Sequence, residues 1–266
     1  MTRRLVKWLA PLAATSMLLA GCGSSTSTGG AGSSSTARNS SSASGTLNVF
    51  AAASLKESFG TLGKQFEAAH PDTKVVFNFG PSSGLAASIT KGAPADVFAS
   101  AATKNMDQVV QAGGATSPTN FATNVMEIAV PAENPAAIAK LADLAKPGVK
   151  VAVCQAAVPC GATAEKVFAN AKLKVAPVTQ EVDVKSVLSK VTLGEVDAGV
   201  VYVTDVLAAG AAVKGIAIPK GVNASTEYPI AALTKAPNRA MASAFIAYVL
   251  SAAGSKALAA AGFGKP

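Results

Sequence analysis

Two segments, Phe50-Ala51-Ala52-Ala53-Ser54-Leu55 and Phe79-Gly80-Pro81-Ser82-Ser83-Gly84-Leu85, each place serine where an apolar β-type run hands over to a helix-type run. A helix start leaves backbone N–H groups without intrahelical acceptors and carries the positive end of the helix dipole. A serine hydroxyl added there completes a small cup of donors. Two such cups facing each other grip an oxyanion. Read singly, each serine is also an ordinary helix N-cap, and Ser83 is a second candidate for the role of Ser82.

The second segment also carries an enzyme-like pattern, because Gly80-Pro81-Ser82-Ser83-Gly84 satisfies G-x-S-x-G. The single histidine, His70, precedes that serine, whereas hydrolases of this kind run in the order serine, acid, histidine. Pro81 also sits poorly before a nucleophile, so the chain does not read as an enzyme. Cys154 and Cys160 stand close enough to close a tight disulfide loop in an exported protein. A metal pair is the competing reading, but no histidine or third cysteine lies nearby to complete it. Tyr202, Tyr228 and Tyr248 are too scattered in sequence to suggest a ferric site. No directly coordinated metal and no cofactor is expected. Asp183 and Asp205 read as helix caps or structural acceptors, since a carboxylate beside a dianion repels it.

The elements that must position these residues alternate. Residues 47–51 read as a strand and 54–70 as a helix, with Leu55, Phe59, Leu62 and Phe66 at helical spacing. A strand at 74–79, a helix at 82–91, a strand at 96–100 and a helix capped by Thr103 and ending at 111 follow. Beyond a strand at 125–130, a helix ends near Lys146, with Pro147-Gly148 as its stop. Strands at 149–153, 175–182 and 198–203 then alternate with helices at 161–171 and 184–191. Short β segments at 216–218 and 228–233 precede a closing helix at 238–250. Short alternating units predict an α/β fold with largely parallel, doubly wound sheets. Two such sets joined by extended segments predict two lobes, 46–124 with 229–266 and 125–228, and a ligand cleft between them.

The N-terminus reads as an export signal over residues 1–21: Arg3, Arg4 and Lys7, then an apolar run too short to span a bilayer. Leu19-Ala20-Gly21-Cys22 resembles the bacterial lipobox, in which the cysteine is acylated and becomes the first mature residue. Residues 22–45 are almost entirely Ser, Thr, Gly and Ala, a flexible tether spanning roughly 25 to 30 Å. The formal charge of the whole chain is +8, and loss of the signal leaves 20 basic against 15 acidic side chains. That excess is scattered, with no basic run interleaved with aromatics, which argues against a nucleic-acid partner.

Four motifs in order, Phe50-Ala51-Ala52-Ala53-Ser54-Leu55, Pro81-Ser82-Ser83-Gly84-Leu85-Ala86, Gly92-Ala93-Pro94-Ala95-Asp96-Val97-Phe98 and Gly199-Val200-Val201-Tyr202-Val203-Thr204-Asp205, resemble the molybdate-binding proteins of ABC transporters. The similarity runs over nearly all of 46–266. It implies a two-lobed periplasmic-binding-protein fold of type II that holds a tetrahedral dianion, molybdate or tungstate, with neutral donors. It further implies that Ser54 and Ser82 bind through hydroxyl and N–H, that Tyr202 donates its phenol, and that Cys160 and Val184 contribute backbone N–H groups. Cysteine at position 160 departs from the forms expected in the family, but the contact there is made by backbone. The implied partners are a permease with its ATPase. The implied site of action is the outer face of the cytoplasmic membrane, where the protein is lipid-anchored and monomeric. A site made only of donors suits an ion without a proton, and sulfate is the alternative ligand of that kind.

Overall fold

In the computed structural model, which describes residues 45–266, chain order begins with strand β1 (Gly45–Ala52). The export signal, Cys22 and the tether lie outside the described residues, except for the tether's last residue, Gly45. β1 pairs in parallel with β2 (Thr73–Gly80) and β3 (Val97–Ala99), so its later residues are covered on both sides. β2 lies at the edge and keeps the alternating exposure its sequence predicts. Helix α1 (Lys56–Ala69) buries Phe59, Leu62 and Phe66. Helices α2 (Ser82–Thr90) and α3 (Thr103–Gln111) complete the first set. Thr103 is the first residue of α3 rather than its cap, which is Ala102 without a side-chain bond.

The 13-residue strand β4 (Thr119–Pro131) leads into the second set. It comprises β5 (Val151–Cys154), α4 (Pro159–Asn170), β6 (Thr179–Glu181), α5 (Val184–Thr192), β7 (Ala198–Tyr202) and α6 (Val203–Ala209). Strands β8 (Val213–Ala217) and β9 (Ser225–Ala232) return the chain to helices α7 (Arg239–Leu250) and α8 (Ala252–Ala260). The strand order is β2-β1-β3-β9-β4-β7-β5-β6, with β8 paired to β4. Pairing is parallel within each set, but β4 and β9 run antiparallel to each other and to their neighbours. The sheet is therefore mixed, where the sequence pattern predicts a largely parallel one.

Side chains collect in separate cores. Met126, Ile128, Val151, Val187, Val200 and Tyr202 pack in one. Leu47, Phe59, Phe66, Tyr228, Ile230 and Phe245 pack in another, backed by Phe50, Leu85 and Phe98. Tyr228, which the sequence division puts at the end of 125–228, packs with the first set.

Three other expectations change. The helix ending near Lys146 is only a 3-10 turn, Leu141–Ala145, because the Asp143 carboxylate draws in the Ala139 and Lys140 N–H groups. The strand at 175–182 contracts to Thr179–Glu181; Pro177 within it has no N–H for a ladder. Helices α6 and α8 appear where no helix is predicted. Ser251 caps α8 by accepting from the Gly254 N–H at 3.2 Å.

Candidate functional site

Ser54, Ser82, Cys160, Val184 and Tyr202 all line one cavity. One wall comprises Ala52, Ala53, Ser54, Gly80, Pro81, Ser82 and Ala101, from the ends of β1 and β2, the turns after them and the segment after β3. The facing wall comprises Val158, Pro159, Cys160, Asp183, Val184 and Tyr202. Ser83, the second candidate, is not in the lining. The cavity measures about 20 Å3, room for roughly one water. A five-atom oxyanion needs the walls to part. A larger groove of about 760 Å3 opens alongside and shares Ser54, but it is lined mainly by α1, α6 and α8 and carries the Glu57 carboxylate. That lining carries one acid and one base, Glu57 and Lys256, and gathers none of the other four predicted residues.

On the first wall, β1 ends in a 3-10 turn, Ala53–Leu55, that holds Ser54, and Pro81 fixes the entry to α2 so that Ser82 is its first residue. Neither serine caps a helix through its side chain, so the N-cap reading is replaced by other bonds. Ser82 Oγ accepts the Ala101 N–H at 3.0 Å. Ser54 Oγ lies 2.8 Å from the Tyr228 hydroxyl.

The second wall starts from two helix N-termini. Pro159 opens α4, where a missing N–H costs nothing, and Cys160 follows it. Cys160 is joined to Cys154, and Gly161 packs so closely under this loop that a side chain there would collide with the Gln155 carbonyl. Asp183 lines the cavity but is committed as the cap of α5, accepting from the Ser186 N–H at 2.9 Å and from its hydroxyl at 3.2 Å. Val184 thereby becomes the first residue of α5. The starts of α2, α4 and α5 thus surround one space, and their first N–H groups have no intrahelical acceptor.

Tyr202, at the end of β7, is buried, and its hydroxyl has no hydrogen-bond partner. Burial first, then the neighbouring Tyr228, pushes its pKa well above the usual phenol value. The Thr163 hydroxyl acts the other way, but it donates to the Pro159 carbonyl at 2.8 Å and forms no geometric hydrogen bond with the phenol. Tyr202 therefore enters any binding event as a neutral donor.

Several polar residues around the cavity escape sequence reasoning. Lys185 pairs with Asp205 at 2.9 Å and with Glu57 of α1 at 2.7 Å, so one ammonium joins the two walls. Burial opposes that charge, but the two carboxylates hold its pKa above the ordinary lysine value. Burial pushes Asp205 up to about 6, against the pull of Lys185 and of the Tyr202 N–H, which Asp205 accepts at 3.1 Å. Asp205 is thus the structural acceptor its sequence position suggests. Asn124, Thr204 and Tyr228 form a further buried cluster behind Ser54. Asp205, next to Thr204, is the one local sequence signal here; the contacts between residues distant in the sequence have none. Among the described residues no group of three or more His, Cys, Asp or Glu could hold a metal ion.

Comparison with known proteins identifies the family. The profile of the family described as bacterial extracellular solute-binding protein matches residues 47–264. The molybdate-binding protein ModA of Mycobacterium tuberculosis (strain H37Rv) is 45% identical over 219 residues, covering 82% of this chain and 84% of the relative. Its namesake in Haemophilus influenzae is 30% identical over 261 residues, covering 94% and 96%. Among solved structures, the periplasmic molybdate-binding protein of Azotobacter vinelandii gives a TM-score of 0.74 at 21% identity, covering 83% of this chain and 99% of that one. The sulfate-binding protein SubI of M. tuberculosis gives 0.72 at 18% identity, covering 82% and 86%. At such identities the likeness speaks for the fold alone, and the fold alone does not choose the anion. The chain belongs to the bacterial extracellular solute-binding protein family, within the molybdate-binding ModA group, and has the fold of the periplasmic binding proteins.

Proposed function

We propose that this protein captures molybdate outside the cytoplasmic membrane and delivers it to an ABC importer, with tungstate as an equivalent ligand. The ion is held by the hydroxyl and N–H of Ser54 and Ser82, the phenol of Tyr202, and the N–H groups of Cys160 and Val184. The observation that carries this reading is that these five residues, spread over nearly 150 positions, line one cavity, around which the helix starts at Ser82, Pro159 and Val184 leave N–H groups without intrahelical acceptors. Each hydrogen bond to a charged acceptor contributes about 1.5 to 3 kcal/mol, so several together offset the desolvation of a dianion.

Two lobes, 46–124 with 229–266 and 125–228 except that Tyr228 packs with the first, part to admit the ion; the small volume of the cavity supports this reading. Acylation of Cys22 holds the folded body at the membrane on its tether. Cys22→Ser should release the protein from membranes without changing its affinity, and retention of the processed variant would refute the anchor.

Thermal unfolding of the body from Thr46 onward, with molybdate, tungstate, sulfate and phosphate in turn, tests the function. Ligand at a hundredfold over its dissociation constant adds about 2.7 kcal/mol to native stability. Molybdate and tungstate should raise the melting temperature, while sulfate and phosphate at equal concentration leave it unmoved. A rise with sulfate alone would reassign the ligand.

A further inference from the structure

We propose that Tyr228 is a positioning residue for the oxyanion site, fixing the Ser54 hydroxyl as a donor toward the ion. The inference rests on the oxyanion reading and concerns a residue that does not line the cavity. Its basis is the direction in which each proton in the buried cluster must point.

Asn124 Oδ1 accepts the Val125 N–H at 3.0 Å, which sets the amide so that its NH2 end faces inward. That end donates to Thr204 Oγ1 at 2.9 Å and to the Tyr228 oxygen at 3.4 Å. Tyr228 is fully buried and its hydroxyl has two partners, Asn124 Nδ2 and Ser54 Oγ. An amide NH2 cannot accept, so the phenolic proton must go to Ser54 Oγ at 2.8 Å. The opposite arrangement would leave that proton unpaired in the core. Burial also holds the phenol's pKa above its ordinary value, so the proton stays in place.

Ser54 Oγ therefore accepts from behind, and its own proton is left for the cavity it lines. The bonds run in one sense, from Asn124 to Tyr228 to Ser54 to ion, and each polarises the next. Ser58, the next serine along, instead returns its proton to the Leu55 carbonyl. Ser82 has the same polarity as Ser54, since its oxygen accepts the Ala101 N–H. With one lone pair of each hydroxyl already taken, the two serines present their protons toward an oxyanion more readily than an acceptor. Without Tyr228 the Ser54 hydroxyl could rotate to accept, and discrimination against hydrogen phosphate would fall.

A double-mutant cycle measured by titration calorimetry with molybdate tests the link, using the parent, Tyr228→Phe, Ser54→Ala and the double variant. Tyr228→Phe should weaken binding about three- to tenfold when Ser54 is present and less than about twofold when it is absent. In the Ser54-containing pair it should also narrow the preference for molybdate over hydrogen phosphate. A residue that merely packs would give equal losses in both backgrounds and leave that preference unchanged, and this result would overturn the proposal. If circular dichroism shows Tyr228→Phe unfolded, Asn124→Leu takes its place in the same cycle, with the same dependence on Ser54 expected and additivity again overturning the proposal. A parent that binds none of the oxyanions overturns the oxyanion reading and this inference with it. A parent that binds, with additive losses, overturns this inference alone.

Discussion

On the α1 and α2 side of the cavity both serine hydroxyls already have partners, Ser54 in Tyr228 and Ser82 in the Ala101 N–H, whereas on the α4 and α5 side the Tyr202 phenol is buried with none. The first wall is finished before any ligand arrives. The second holds a phenol with no protein partner, free to donate to a ligand. On the proposed function, Tyr202 is then the donor with the most to gain from a ligand, while the serine hydroxyls are already held in place. The same contrast extends to covalent support: the second wall has the Cys154–Cys160 bond beside its backbone donor, and the first wall relies on hydrogen bonds.

The strongest way to break this comparison is Tyr202→Phe. It keeps the ring and its packing and removes one donor, so molybdate affinity should fall about ten- to more than a hundredfold. The ligand-free protein should be little changed in stability, because that hydroxyl has no protein partner to lose. Calorimetric titration and urea unfolding read the two quantities, and lost stability with unchanged affinity would make Tyr202 a packing residue only.

Ser82→Ala should behave differently. It removes a ligand donor and also strands the buried Ala101 N–H, so affinity and ligand-free stability should fall together, each by about 1 to 2 kcal/mol. If stability is untouched in the same two measurements, the first wall is not finished in the sense argued above.

The smallest effect on binding is expected from the ion pairs that join the walls. The Asp205 carboxyl sits near pH 6 in the fold against an ordinary value of 3.8, so between those values the native state holds more protons than the unfolded one. Its contribution to stability must then fall as pH rises through this window and level off above about pH 6. The stability difference between the parent and Asp205→Asn should shift in favour of the parent on acidification from pH 7 to pH 4, as measured by urea unfolding at fixed ionic strength. A difference that is flat across the window would show that Lys185 fully compensates the burial.

What the sequence makes legible is local. The apolar spacing of Phe59, Leu62 and Phe66 defines α1, the alternation of 74–79 defines an edge strand, and Asp183 announces the start of α5. The five residues taken from the family resemblance share one cavity because Ser54, Ser82 and Tyr202 lie within two residues of a strand end and Cys160 and Val184 lie at the start of the helix that follows one. What stays hidden is either featureless or distant. Helix α8 is an alanine-rich run with no large apolar stripe to mark it, and α6 follows a strand whose apolar character continues through Val203. The antiparallel pairing of β4 with β9 depends on residues about a hundred positions apart, as does the Asn124 to Tyr228 contact, and Ser54 meets Tyr228 across 174 positions. No pattern within a window of a dozen residues encodes such meetings.

Strand β4 has a mechanical consequence of its own. Its first half is laddered to β9 and its second half to β7 and β8, so a single unbroken strand is shared by both halves of the sheet. Relative rotation of the two cores must then be absorbed as twist in an antiparallel ribbon, which is compliant in torsion and stiff in extension. If the cores swing as proposed, such an element would act as a torsion spring rather than a loose joint, resisting the swing by its twist while its ladder holds.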